Sequence, residues 1–345
     1  MNLPVLDGTD LVDRRVIVRC DFDFGESLST GLGRIETVLP TIKRVVASAA
    51  QTILIGHRGR PENGEDPNLS LEPLVDFLGG QLTENLTFIP YAYLDNLFNN
   101  GQTSKIVLVE NLRFWPEESS ANEELAAKFA QVADIYINEA FSISHRKHMS
   151  TFTLPKKMLA GGKKGYVGLR FAKEVENLEK VLANPQRPVV VIFGGVKEDK
   201  LTNIEAVAEK ADKVLIAGRL PEYVHDASPL RKNDKFVVAN LMPDREDITM
   251  HSIEAFEKEI ALAKTIVLAG PPGKYEDEAH AQGTKRIFAA IAQSNAYKVA
   301  AGGDTEEAVA TLSFTDAFDW ISVGGGAALE FLAKGTLPGI EALLT

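Results

Sequence analysis

The chain has 345 residues, 45% of them apolar and 25% charged, and a net charge of −11. That length exceeds what one hydrophobic core usually supports, so two lobes are expected, and the acidic balance disfavours nucleic acid or an anionic membrane as partners. The single cysteine, Cys20, excludes an intrachain disulfide, and no apolar run reaches a membrane span or opens as a secretory signal, which fits a reducing cytoplasm.

Short β-branched runs alternate with longer amphipathic stretches. In the first half the runs are Arg15 to Arg19, Thr52 to Ile55, Lys105 to Val109 and Ile135 to Ile137. They read as buried parallel strands. Residues 171–182 then show helical apolar spacing and stop at Asn184-Pro185, the pattern of a helix connecting two halves. Six more runs come after it: Pro188 to Phe193, Lys213 to Ile216, Lys235 to Val238, Thr265 to Leu268, Tyr297 to Val299 and Trp320 to Val323. The expected fold class is α/β, with two Rossmann-like lobes of parallel sheet joined by a long helix.

Ligands of open parallel sheets lie beyond the carboxyl ends of the strands, so the residues just after each run carry the functional information. In the first half these are Asp21-Phe22-Asp23, then a glycine-containing loop with Gly33-Arg34-Ile35 opening the next helix, His57-Arg58-Gly59-Arg60-Pro61, Glu110-Asn111-Leu112-Arg113-Phe114, Asn138-Glu139-Ala140-Phe141 and, a little further on, Ser144-His145-Arg146-Lys147-His148. A lone arginine after a strand is ordinarily a surface residue. Convergence of Arg34, Arg60, Arg113 and Arg146 would instead suit a small multiply charged anion, because guanidinium forks bind carboxylate and phosphate bidentately. Asp21 and Asp23 either cap turns or bind a substrate hydroxyl. His145 and His148 have no obvious third ligand and read as a basic loop rather than a metal site.

In the second half the strand ends are glycine-rich: Gly194-Gly195-Val196-Lys197-Glu198-Asp199-Lys200, Ala217-Gly218-Arg219, Gly270-Pro271-Pro272-Gly273, Gly302-Gly303-Asp304-Thr305 and Gly324-Gly325-Gly326. Glycine lets phosphate approach backbone amides, and a helix N-terminus favours the negative charge. Lys197 and Lys200 can neutralise phosphate oxygens, and Asp304 is placed to hold magnesium. Neither GxGxxG nor GxxxxGK[ST] occurs, which argues against a dinucleotide dehydrogenase and a P-loop NTPase.

Taken in order, Arg19-Cys20-Asp21-Phe22-Asp23, His57 to Pro61, Glu110 to Phe114, His145 to His148, Gly194 to Lys197, Gly270 to Gly273, Gly302 to Thr305, Gly324 to Gly326 and Leu337-Pro338-Gly339 resemble the successive motifs of the phosphoglycerate kinase family over nearly the whole chain. The resemblance implies a substrate domain at 1–165 completed by 333–345, a connecting helix at 166–183 and a nucleotide domain at 184–332. It implies that Asp21, Asp23, Arg34, His57, Arg60, Arg113 and Arg146 bind 3-phosphoglycerate or 1,3-bisphosphoglycerate, with Arg34 and Lys197 stabilising the phosphoryl group in flight. Gly194, Gly195, Lys197, Lys200, Gly218, Pro271, Glu276, Gly302, Gly303, Asp304, Thr305, Gly324, Gly325 and Gly326 would hold ATP or ADP, with Glu276 at the ribose and Asp304 on Mg2+. A cytoplasmic, monomeric glycolytic enzyme is implied, one that closes about a hinge to bring its reactants together and exclude water.

The chain also departs from the family. Asp23 replaces an asparagine beside an anionic substrate. Lys197 and Lys200 are one residue closer than the family pattern, a turn of roughly 100° on a helix. Ala269, Ala301, Arg219 and Val323 replace an asparagine, two glycines and a threonine, and the stretch from Leu220 to Ile248 is shortened, removing wall that encloses the nucleoside. A relative that binds an anion without useful catalysis, or a kinase for another acyl phosphate, are the readings these departures suggest beside the glycolytic one.

Overall fold

The structure is a computed structural model that describes residues 1–25, 28–62, 64–99, 104–226 and 228–344, apart from the side chains of 28–32, 199 and 203. Part of the loop expected after Asp23, and the side chain of Asp199, therefore lie outside the described residues.

Contacts divide the chain into Met1–Val175 with Leu337–Thr345, and Glu176–Thr336. The first unit is built on six strands: β1 (Arg15–Cys20), β2 (Gln51–Ile55), β3 (Leu86–Ile89), β4 (Ile106–Val109), β5 (Ile135–Glu139) and β6 (Lys164–Val167). They pair in parallel in the order β3-β4-β2-β1-β5-β6. All of β4 and β5, and β1 from Val16 on, are buried, as expected of strands covered by helices on both faces. The helix Leu28–Val46 places Ile35, Val38, Ile42 and Val45 in the core, a three- and four-residue spacing that keeps one apolar stripe against the sheet. Burying each such side chain contributes about 1.5–3 kcal/mol.

The second unit holds β7 (Val189–Phe193), β8 (Lys213–Ile216), β9 (Phe236–Val238), β10 (Thr265–Ala269), β11 (Tyr297–Ala301) and β12 (Trp320–Ser322), parallel in the order β12-β11-β10-β7-β8-β9. The helices Met250–Leu262 and Gln282–Gln293 bring Ile253, Phe256 and Ile260, and Ile287, Phe288 and Ile291, against Val190, Ile192, Ile266 and Leu268. In each sheet the first strand in sequence lies inside, with its successor on one side and a later strand on the other. The carboxyl ends of β1 and β7 are thus the switch points where a crevice opens.

All ten expected strands form. Two edge strands, β3 and β6, are added to the first sheet, and this changes the connecting helix: Lys164–Val167 pairs with β5, so the helix runs over Leu169–Leu182 instead of starting at 166. The unit boundary falls inside that helix, between Val175 and Glu176, and the chain returns at Leu337 instead of 333. The helix expected to open at Gly33 begins at Leu28, so Gly33 and Arg34 lie inside it and Arg34 projects from an established helical turn.

Candidate active site

The first switch point assembles a charged cluster from separate strand ends. Asp21, directly after β1, is 3% exposed; its Oδ2 accepts a hydrogen bond from Ser142 Oγ at 2.5 Å. Its Oδ1 is buried without a hydrogen-bond partner among the described residues. The Arg34 guanidinium lies 3.8 Å from that oxygen and 3.7 Å from Asp23 Oδ2. Both separations exceed the 2.7–2.9 Å of a charge-assisted hydrogen bond, so the guanidinium is attracted to two carboxylates and clamped by neither. Asp23 also accepts the Gly59 amide at 2.9 Å, and Arg113 donates to the Gly59 carbonyl at 2.5 Å, which draws the loops after β1, β2 and β4 together. Glu110 and Asn111 complete that join. Glu110 accepts from Ser70 Oγ and the Leu71 amide, while Asn111 exchanges hydrogen bonds with the backbone of Arg58 and Leu69.

His57, at the end of β2, is 3% exposed and takes a hydrogen bond from Arg19 Nη2 on Nδ1 at 3.0 Å. A guanidinium only donates, so Nδ1 accepts and the ring hydrogen sits on Nε2. Burial, followed by the charges of Arg19 and Arg113, pushes the imidazolium pKa well below its ordinary value, leaving a neutral N–H donor. Burial and the same Arg19 charge lower Arg113 to about 10. Beneath His57, Arg19 Nε donates to Ser150 Oγ at 3.0 Å, and Ser150 Oγ donates to Glu118 Oε1 at 2.7 Å. Arg19 and Glu118 are both 0% exposed. Burial alone would raise the Glu118 carboxyl, but the His148 ring, with Nδ1 3.6 Å from Oε1, and the charge of Arg19 bring it below the usual range.

The remaining expected substrate residues are placed differently. Arg146 is exposed and donates from Nε to His145 Nε2 at 3.3 Å. Arg60 is also exposed and lines a cavity of about 390 Å³ with Glu62, Gly64, Glu65 and Asp66. Its neighbour Arg58 turns inward, donating to the Gly25 and Ser70 carbonyls with its guanidinium 3.9 Å from the centre of the Phe24 ring. Arg58 is a strut for the loop.

At the second switch point a cavity of about 410 Å³ is lined by Gly195, Val196, Lys197, Gly218, Arg219, Glu246, Pro271, Gly273, Lys274, Glu276 and Asp304. The turns after β7, β8 and β10 make it. Their backbones touch: the Gly195 amide donates to the Pro271 carbonyl at 2.9 Å and the Gly218 amide to Pro272 at 2.8 Å. A Cβ on Gly194 would collide with the carbonyl oxygens of Gly270 and Pro271, so only glycine permits this approach. Asp304 is exposed in the first turn of the helix Gly303–Thr311, whose start, like that of Gly325–Lys334, offers unsatisfied amides. Thr305 is a bridge between turns, accepting the Gly270 amide and donating to the Ala301 carbonyl. Lys200 reaches back into the turn, with Nζ 3.0 Å from the Gly194 carbonyl.

The sequence reading did not select Glu246 and Lys274, an ion pair at 3.3 Å on this cavity wall. It noted Arg219 only as a replaced glycine. Arg219 pairs with Glu222 at 2.7 Å, and Arg245 reaches the same carboxylate at 3.3 Å. Charged pairs from the shortened stretch thus occupy part of the wall. Nor did it select Glu118 or Arg19 under the first site. A full charge inside the buried run of β1 was the one available signal.

Among the described residues no group of three or more His, Cys, Asp or Glu could hold a metal ion. One exposed carboxylate in a cavity suits Mg2+, which binds through one or two carboxylates plus phosphate oxygens and water.

The phosphoglycerate kinase family model matches residues 6–239 and 225–335. The two matched segments overlap within the stretch read as shortened. Among relatives, the phosphoglycerate kinase of Finegoldia magna is 32% identical over 397 residues, covering 99% of this chain and 99% of its own. That of Dictyoglomus turgidum is 33% identical over 391 residues, covering 98% and 97%. Among solved structures, the phosphoglycerate kinase from Coxiella burnetii matches with a TM-score of 0.83 at 27% identity, covering 99% of both chains. That from Pyrococcus horikoshii, at 24% identity and a TM-score of 0.82, supports the fold.

Proposed function

The chain belongs to the phosphoglycerate kinase family, kinases that transfer phosphate to a carboxyl group, and from that membership we propose how its residues share reversible transfer between 1,3-bisphosphoglycerate with ADP and 3-phosphoglycerate with ATP. The observation that carries the assignment is the pair of switch points: a cluster of Arg34, His57 and Arg113 on one sheet, and a glycine-walled cavity with Lys197 and Asp304 on the other.

The first cluster binds the phosphoglycerate. His57 Nε2–H and Arg113 bind its anionic oxygens, and the buried Asp21 Oδ1 is an acceptor for its hydroxyl. Arg60 and Arg146, exposed at the rim, attract the anion. The second site binds nucleotide, with the phosphates on the amides of Gly195, Gly303 and Gly325 and on Lys197, and the ribose at Glu276. Asp304 would hold Mg2+, which when bound neutralises phosphate charge.

The substrate carboxylate is already a nucleophile and needs no general base. The barrier lies in bringing two anions together, so Arg34 and Lys197 act by neutralising the transferring group. Arg34, with its guanidinium 3.8 Å from Asp21 Oδ1 and 3.7 Å from Asp23 Oδ2, is the cation of the first site assigned to the phosphoryl group. Cys20 is free and buried, which suits a reducing compartment, and we assign the enzyme to the cytoplasm as a monomer; no described helix is long and apolar enough to cross a membrane.

The test is ADP formation from magnesium ATP and 3-phosphoglycerate, followed through a coupled assay, with Arg34→Ala and Lys197→Ala alongside. Each variant should lose about 10³- to 10⁵-fold in kcat while keeping its circular dichroism spectrum. A folded wild-type protein without turnover at saturating substrates would refute the assignment, and unchanged variants would refute the roles.

A further inference from the structure

We propose that Glu118 is a positioning residue for substrate binding: buried together with Arg19, Ser150 and His148, it fixes the orientation and tautomer of His57. The proposal rests on the reading of His57 as a phosphoglycerate ligand.

Four elements converge here. Arg19 comes from β1, His57 from the end of β2, Glu118 from the short helix Pro116–Ser119, and His148 and Ser150 from the start of the π-helical turn Met149–Thr153. The hydrogen directions follow from chemistry. Arg19 Nε donates to Ser150 Oγ, so the serine hydrogen is left for Glu118 Oε1. Glu118 Oε2 accepts the Ser150 amide at 3.0 Å. Arg19 Nη1 is occupied by the Cys20 carbonyl at 2.6 Å. What remains is Nη2, 3.9 Å from Glu118 Oε1 and 3.0 Å from His57 Nδ1.

The Arg19 guanidinium is 0% exposed, and Glu118 is the carboxylate beside it. If that carboxylate becomes neutral, the guanidinium is an uncompensated buried charge and must turn toward water or admit it. Either movement takes the hydrogen bond from Nδ1, and His57 is then free to carry its hydrogen on either nitrogen. Glu118 touches no substrate in this scheme and acts through Arg19. The titratable and charged groups facing His57 are Arg19, Glu118 and His148 beneath it and Arg34 and Arg113 beside it, with the Tyr136 hydroxyl of β5 held by the Ser150 carbonyl at 2.7 Å.

The test uses the whole chain with ¹⁵N-labelled histidine, the His57 signal being assigned by its loss in His57→Gln. In the wild type, His57 should remain in the Nε2–H form from pH 6 to 8. In Glu118→Gln it should show averaged tautomers across that range. The KM for 3-phosphoglycerate should rise about tenfold, with kcat and the KM for ATP within about twofold. If Glu118→Gln does not fold, Ser150→Ala retains every charge, breaks the same relay, and should move the signal and the KM in the same direction. A purely structural ion pair would lower stability in these variants and move neither. A folded variant that keeps the Nε2–H form with an unchanged KM overturns the proposal. Should His57→Gln leave the KM for 3-phosphoglycerate unchanged, it is the substrate-site reading that fails, and the positioning role with it.

Discussion

Glu139 closes β5 at 2% exposure and binds the start of the helix Leu169–Leu182. Its Oε1 accepts the Thr41 hydroxyl at 2.5 Å and the Arg170 amide at 2.9 Å, its Oε2 accepts the Phe171 amide at 3.0 Å, and Thr41 Oγ1 accepts the Leu169 amide at 2.9 Å. Three amides that a helix start leaves without intrahelical partners are thereby satisfied. Burial pushes the Glu139 carboxyl up from 4.5 to about 7, against the pull of the Thr41 hydroxyl and the two amides. Between those values the unfolded chain binds fewer protons than the native one, so stability falls as pH rises through the window. The contribution is fully present below pH 4.5 and lost above about pH 7; at about 1.4 kcal/mol per unit it amounts to about 3 kcal/mol. In Glu139→Gln one helix amide faces an NH2 group instead of an oxygen, at a cost of about 1–3 kcal/mol, but the position no longer titrates. Urea unfolding of both proteins between pH 4.5 and 8 should therefore show the variant clearly weaker at the acid end, with the gap closing by about 3 kcal/mol toward pH 8. Parallel curves across that range would refute the assignment of a raised carboxyl to Glu139.

Two further substitutions probe the sites. Asp23→Asn keeps an acceptor for the Gly59 amide and removes a charge 3.7 Å from Arg34. For a partly exposed pair this should lower the KM for 3-phosphoglycerate about two- to fivefold, and steady-state kinetics showing no change would mean that the charge is screened from the ligand. Gly194→Ala forces a methyl against two backbone oxygens, so the turns after β7 and β10 must separate. ATP affinity measured by calorimetry should drop about tenfold while 3-phosphoglycerate binding is retained, and unaltered ATP affinity would remove these turns from the nucleotide site.

The interior of both sheets was legible because strands covered on two faces must be continuous apolar runs. The edges of the first sheet were not. β3, Leu86-Thr87-Phe88-Ile89, is a four-residue run of which only Ile89 is buried, and β6 begins Lys164-Gly165, so neither stands out as a covered strand. The sequence expectation puts Gly33 at the opening of a helix, after a glycine-containing loop. Here it lies within one, and its side of the helix is exposed. Candidate site residues were sought directly after strands for a topological reason: in open parallel sheets the crevice lies beyond the carboxyl ends of the strands. Glu118 comes after a loop and reaches its partners only through the tertiary fold, and Glu246 enters its cavity from the shortened stretch. No spacing rule could supply either position. Lys200 shows the converse limit, since a lysine three residues after Lys197 looks equivalent to it until its Nζ is found at the Gly194 carbonyl.

The helix Pro338–Leu344 belongs with the first unit, where Leu337, Ile340 and Leu343 are buried and the Gly339 amide donates to the Ser144 carbonyl at 2.9 Å. A Cβ on Gly339 would come within 2.8 Å of Ser144, so the segment presses directly on the loop between β5 and His145. The two units therefore differ in how their chain closes. Glu176–Thr336 is one uninterrupted stretch, whereas the first unit is completed only when residues after 336 come back to it across an intervening segment of about 160 residues. Its assembly carries the entropy of closing that long loop, a cost the contiguous unit does not share.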